Sequence, residues 1–189
     1  MILAPILFGL GIWQMVRGFN QFFGSSADPQ IKKLVEQSDQ AFNDARNLTG
    51  TLAPQFTTLI DDVDKLGLDA VHKQRQDGAK LLSDQYVKAA AGFRQAAALL
   101  ANAQKVNSND KLNSFLDGRA KAYELFAQEC EKFQQTIALV MDPSSTKAAD
   151  LLPKVKQLTD ERNALEKQAD DAAAKADQAA GATKPAASP

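Results

Sequence analysis

From Ile31 onward, apolar side chains recur every seven residues in two interleaved sets. Over the first stretch one set holds Val35, Phe42, Thr49, Phe56 and Val63, and its companion holds Ile31, Ser38, Ala45, Leu52, Leu59 and Leu66. Alternating steps of three and four place both sets on one stripe of a helix. Gly50 and Pro54 fall inside the stretch, yet the phase passes through them unchanged, which a loop would not be expected to preserve. The pattern therefore predicts one helix over about 29–66, bent near Pro54. Asp28-Pro29 supplies a capping side chain followed by a proline at the first helical position. Leu66-Gly67-Leu68-Asp69 reads as a stop and a restart.

The same periodicity predicts three further helices. Over about 69–106 the sets are Ala79, Tyr86, Phe93, Leu100 and Leu82, Ala89, Ala96, Ala103, a seam small enough for a neighbour to come close. Asn107-Ser108-Asn109-Asp110 forms a turn with caps available. Over about 110–141 the sets are Leu116, Tyr123, Cys130, Ile137 and Leu112, Arg119, Phe126, Phe133, Val140. Asp142-Pro143-Ser144-Ser145 ends that helix. The fourth, about 146–180, begins with Leu151, Val155, Leu158 and Leu165 and fades into alanine at 169, 172, 176 and 179, with Pro153 either kinking it or starting it.

Four segments of similar length joined by short turns favour antiparallel neighbours. The expected fold is all-α: an N-terminal membrane helix followed by an elongated antiparallel bundle of four long helices with coiled-coil-like heptad seams. An extended coiled-coil oligomer would show the same seams. The expected boundaries are a membrane anchor over 1–23, a linker over 24–28, the bundle over 29–180 and a disordered Ala/Pro-rich tail over 181–189.

The leading segment departs from this pattern. Residues 1–16 carry no side-chain charge, and Arg17 follows. Residues 2–16 would give a helix of roughly 22 Å, short of a hydrocarbon core of roughly 30 Å; extension to Phe23 reaches about 33 Å. The added polar residues share a stripe, with Gln14, Arg17 and Gln21 on one side and Ile12, Met15, Val16, Phe19, Phe22 and Phe23 on the other. The expected arrangement is a single-pass, retained transmembrane helix with Trp13, Phe19, Phe22 and Phe23 at the membrane interface and Arg17 snorkelling outward. Cleavage as an export signal near Ser25-Ser26-Ala27 is the alternative, weakened because no Lys or Arg precedes the apolar run; a soluble core helix is the third. Arg17, Lys32 and Lys33 on the C-terminal flank favour a cytoplasmic bundle, the extracytoplasmic side being the alternative.

Charge and composition narrow the function. With 22 basic and 23 acidic residues the chain has no cationic footprint for nucleic acid, and no nucleic-acid partner is expected. Cys130 is the only cysteine and His72 the only histidine. A dimetal bundle site needs paired Glu-x-x-His motifs, and Asp69 stands three before His72. Asp61-Asp62-Val63-Asp64 with Gly67 resembles the start of a calcium loop, but Leu66 and Lys73 occupy its fifth and twelfth positions. Cys130 shares a stripe with Tyr123 and Ile137, as a packing residue would. Asn47-Leu48-Thr49 matches a glycosylation sequon but lies within a helical heptad.

No catalytic, cofactor or metal residue is therefore expected. Arg119, a charge inside an apolar seam, is the one candidate ligand or buried ion-pair site. The expected function is a membrane-tethered, non-enzymatic bundle with a structural or interaction role. Its expected partners are membrane lipid and a protein, or a second copy, bound through helix faces such as the seam from Ala89 to Ala98 or a loosely docked fourth helix. A sensory or small-ligand-binding module built around Arg119 is the alternative, and a secreted or periplasmic helical protein is the other.

Overall fold

The structure is a computed structural model that describes Phe19, Phe23 and residues 27–144 and 148–181. Among the described residues it is all-helical: α1 (Pro29–Leu66), α2 (Leu68–Gln74), α3 (Gln76–Lys105), α4 (Asp110–Val140) and α5 (Ala148–Ala180). Local chemistry accounts for the boundaries. Asp28 caps α1 by accepting from the Gln30 amide at 2.7 Å, and Asn109 caps α4 by accepting from the Leu112 amide at 3.1 Å. Gly67, at φ 81°, joins α1 to α2 in backbone geometry that a side chain would strain. Pro54 and Pro153 both lie within continuous helices.

The long helices pack in chain order, α1 on α3, α3 on α4 and α4 on α5, while α1 and α5 make no comparable approach. Phe93 lies against Phe126 and Tyr86 against Phe133, so α3 and α4 are antiparallel; Phe42 meets Tyr123 and Phe56 meets Phe133, so α1 and α4 are parallel. The heptad seams of α1, α3 and α4 are buried as their spacing requires, except Leu66, which is 47% exposed at the end of α1. Aromatic rings fill the centre, with Phe42 stacked on Tyr123 at 4.4 Å and Tyr86 on Phe133 at 4.6 Å. Each such pair contributes about 1 kcal/mol beyond the area it buries.

Three expectations need correction. The single helix over 69–106 is broken at Arg75 (φ −114°, ψ 3°), whose side chain is held by Asp62 at 2.8 Å. Stepping the seams of that helix back one heptad from Ala79 and Leu82 lands on His72 and Arg75, so the apolar pattern stops where the backbone turns. α2 instead carries Leu68 and Val71 into the core and bonds His72 Nε2 to the Val140 carbonyl at 2.8 Å.

The second correction concerns helix docking. Ala89, Ala90 and Ala96 are buried within the bundle, so much of the Ala89–Ala98 seam is already used. α5 is closely docked, since a Cβ on Gly118 would lie 2.7 Å from that of Ala176. The third concerns the leading segment. Phe19 and Phe23, expected at headgroup depth, are 2% and 6% exposed in the core, where Phe23 packs on Phe115 at 5.9 Å. The bundle buries their large apolar area in this structure. Among the described residues no helix is long and apolar enough to cross a membrane. Trp13, Arg17, Phe22 and residues 1–18 lie outside the described residues, as do 24–26 of the linker and 182–189 of the tail.

Candidate functional site in the polar seam of α4 and α5

Charged side chains enter the interior chiefly where α5 covers α4. Gly118 and Ala176 let the two backbones approach, which shuts water out from the residues on either side. At one level Arg119, fully buried, donates from Nη2 to Asp177 Oδ1 at 2.6 Å, and its guanidinium lies 5.6 Å from the Phe115 ring. The Asp177 side chain is 36% exposed, so one member of the pair keeps contact with solvent. Arg119 Nε and Nη1 are buried without a hydrogen-bond partner. Asp39 of α1 lies within the field of Arg119; burial raises its carboxyl and the Asn43 hydrogen bond and Arg119 offset part of that rise.

Three turns along α4 the arrangement changes. The Glu129 side chain is 1% exposed, neither carboxylate oxygen has a hydrogen-bond partner, and the nearest cation, Arg162 Nε, is 4.0 Å away. That is a loose approach, without the short contact of a charge-assisted bond. Burial, reinforced by the nearby Glu166 and Asp170, pushes the Glu129 carboxyl up to about 8, with Arg162 pulling it back. The burial therefore favours the neutral form of Glu129 over the anion. Arg162 rests its guanidinium 4.6 Å from the Phe133 ring, and burial lowers its basicity. Tyr86, stacked on that same ring, has a buried hydroxyl without a partner, and burial raises its phenol. The cluster can hold and release a proton in the interior, with Arg162 able to neutralise the anion that results.

Arg119 is thus a buried ion-pair residue. Glu129, Arg162 and Asp177 were not expected, although the spacing held a signal for two of them. Phe115, Ala122, Glu129 and Thr136 form a third heptad set on α4, and Val155, Arg162, Ala169 and Ala176 form one on α5; all are buried. Cys130 is 1% exposed, and burial raises its thiol, as a packing role requires. His72 sits at the end of α4, about ten residues or 15 Å of helix from Cys130, so the two form no nucleophile and base. Asp61 and Asp62 face Lys65 and Arg75, and among the described residues no group of three or more His, Cys, Asp or Glu is placed to hold a metal ion. No protein-family model, characterised protein or solved structure matches this chain.

Proposed function

We propose that the protein is a non-enzymatic helical bundle that binds a protein partner along a helix face and is tethered to a membrane through the uncharged run over residues 1–16. The observation that carries the binding role is a shallow outer groove between α3 and α4, lined by Val87, Ala90, Ala91, Gln95 and Ala98 on one side and Glu131 and Gln134 on the other. Val87 is 50% exposed there, on the outer face of α3 beside the exposed Ala91. Arg94, bridged to Glu124 at 3.1 Å and Glu131 at 2.6 Å, forms a polar rim. A small-residue floor with a charged rim suits the apolar face of an amphipathic helix. The tether rests on the uncharged run over 1–16, and its retention is supported by Phe19 and Phe23, since cleavage near Ala27 would strip two buried rings from the core.

A photo-crosslinking side chain at Ala91 in cells tests the binding role. A discrete adduct that the same group at Lys154 does not give, and that Val87→Asp abolishes, is expected; no adduct at Ala91 overturns it. Sidedness is tested with Ala187→Cys and an impermeant maleimide, the native Cys130 staying silent because it is buried. Labelling only after lysis is expected from the flanking charges, and labelling of intact cells places the bundle outside.

The unpartnered Nε and Nη1 of Arg119 favour a second reading, a module binding a small anionic ligand. Thermal stabilisation by a small carboxylate or phosphate that is lost in Arg119→Leu would support it. Unchanged melting across such ligands leaves Arg119 a structural charge.

A further inference from the structure

α5 is attached to the bundle differently from the other long helices. It packs on α4, and no other helix covers a comparable part of it. Its buried apolar side chains are Leu151, Val155 and four alanines, so the apolar area it contributes is small for a helix of 33 residues. The central rings, among them Phe42 and Phe56 of α1, Tyr86 of α3 and Phe133 of α4, touch one another, and α5 carries no aromatic residue. Without α5 the other three long helices would keep that aromatic core.

The α4–α5 interface also carries most of the unsatisfied polarity. Among the described residues six buried side-chain nitrogen or oxygen atoms have no hydrogen-bond partner. Four of them, Arg119 Nε and Nη1 and both carboxylate oxygens of Glu129, belong to the two α4 side chains that face Asp177 and Arg162 of α5. A buried polar atom without a partner costs the hydration it gave up, and lifting α5 returns water to both side chains. The Lys132–Glu161 bridge at 2.6 Å lies at the partly exposed edge, where an ion pair adds little. α5 thus fits closely in shape, through Gly118 and Ala176, while the energy that holds it is small.

We propose that α5 lifts off α4 as a unit while α1, α3 and α4 stay packed, and that ionisation of Glu129 favours the lifted form. The groups that act on Glu129 are Arg162, Glu166 and Asp170 of α5 and Tyr86 of α3, with Cys130 beside it on α4. α1 brings the apolar ring of Phe56 to the same level, against Phe133 and Tyr86. An anion at Glu129 is opposed by burial and by both α5 acids, and Arg162 offsets part of that. Burial keeps the Tyr86 phenol and the Cys130 thiol neutral. Once α5 is away, the Glu129 carboxylate is hydrated and the two acids are distant. The lifted form therefore binds fewer protons, and its population grows as pH rises from the ordinary carboxyl value of 4.5 toward about 8.

Hydrogen exchange of the full chain, read by mass spectrometry as protection factors at pH 6 and pH 8.5, tests both parts. At either pH residues 155–173 of α5 should be protected about tenfold or more below residues 38–56 of α1, and evenly along their length. Equal protection of the two helices, or protection that merely declines toward the end of α5, overturns the unit opening. Between the two pH values α5 protection should fall about tenfold or more, and Glu129→Gln should remove most of that fall while leaving α5 less protected than α1. An undiminished fall in Glu129→Gln overturns the role of Glu129. So does a parent chain whose α5 protection is the same at both pH values, even if the variant does not fold.

Discussion

The α4–α5 seam sets an acidic residue against an arginine at two levels and treats them differently. Arg119 and Asp177 meet at 2.6 Å, whereas Glu129 and Arg162 stand 4.0 Å apart with the carboxylate oxygens unpartnered. The residue types are alike; the difference is water. Asp177 lies toward the edge of the seam and keeps part of its solvation, so only one ion is fully desolvated. Glu129 is desolvated as completely as Arg119, and a carboxyl in that position gives up its charge more readily than it forms a distant ion pair. Opposite charges on facing helices thus make an ion pair only where at least one retains access to water.

Breaking this comparison should cost most at Asp177. Asp177→Ala strands the fully buried Arg119 guanidinium and should lower unfolding free energy by about 3 kcal/mol in urea titration. Arg119→Met should cost about 1 kcal/mol or less, because the remaining Asp177 can turn to solvent. Equal losses from the two would mean that solvation of Asp177 does not set the energetics of the pair.

The close approach on which both levels depend comes next. Gly118→Val would drive side-chain atoms into Ala176 and the Ala172 carbonyl, 3.1 Å from the Cβ position, and should cost about 3 kcal/mol. The matching crossing of α1 and α3 is looser around its glycine: a Cβ on Gly92 would meet the Cβ of Ala45 at 2.9 Å, but the nearest carbonyl is 3.7 Å away. Gly92→Ala should therefore cost about 1 kcal/mol or less, the relief of glycine's unfolded-state entropy offsetting part of the contact.

Glu129 supplies the pH signature. Its folded-state carboxyl, at about 8, lies above the ordinary value of 4.5 that applies when the chain is unfolded. Between those values the unfolded chain has released the proton while the folded chain retains it, so stability falls as pH rises through this window and levels off above about 8. Burial raises the Glu166 and Asp170 carboxyls as well, in the same direction. Glu129→Gln should remove most of the decline, leaving the variant about 2 kcal/mol more stable than the parent at pH 8 and little changed at pH 5. Melting temperatures across that range provide the check, and a parent chain whose stability rises from pH 5 to pH 8 would defeat this account of Glu129.

The smallest effect expected is at Ser38, fully buried on α1, whose hydroxyl donates to the Ala96 carbonyl at 2.8 Å. Ser38→Ala should cost about 1 kcal/mol by differential scanning calorimetry. It should leave the pH dependence unchanged, because no ionisable group takes part.

Much of the fold was legible because its signals are local. Asp28-Pro29, Asn109 and Gly67 act through hydrogen bonds and dihedral angles within a few residues, and the sequence places them where the helices begin and end. Heptad spacing likewise marked the core of α1, α3 and α4, and carried α1 across Gly50 and Pro54. The polar seam was legible only at Arg119, because there the surrounding positions are uniformly apolar. At Glu129 the stripe runs Phe115, Ala122, Glu129, Thr136, and half of it is polar.

By itself, then, the sequence determined the four long helical segments, their order and two buried stripes on each of α1, α3 and α4, since period and capping depend on near neighbours; the break at Arg75 was not among them. Tertiary structure alone decided how many sides of a helix are covered. α4 is packed by both α3 and α5, so its buried face is wider than two heptad sets, and Glu129 is enclosed with it. It also decided that Phe23 lies against Phe115 of α4 and Phe19 against Phe23, because an apolar ring is stabilised by whatever excludes water around it, and sequence alone does not say whether that is protein or lipid.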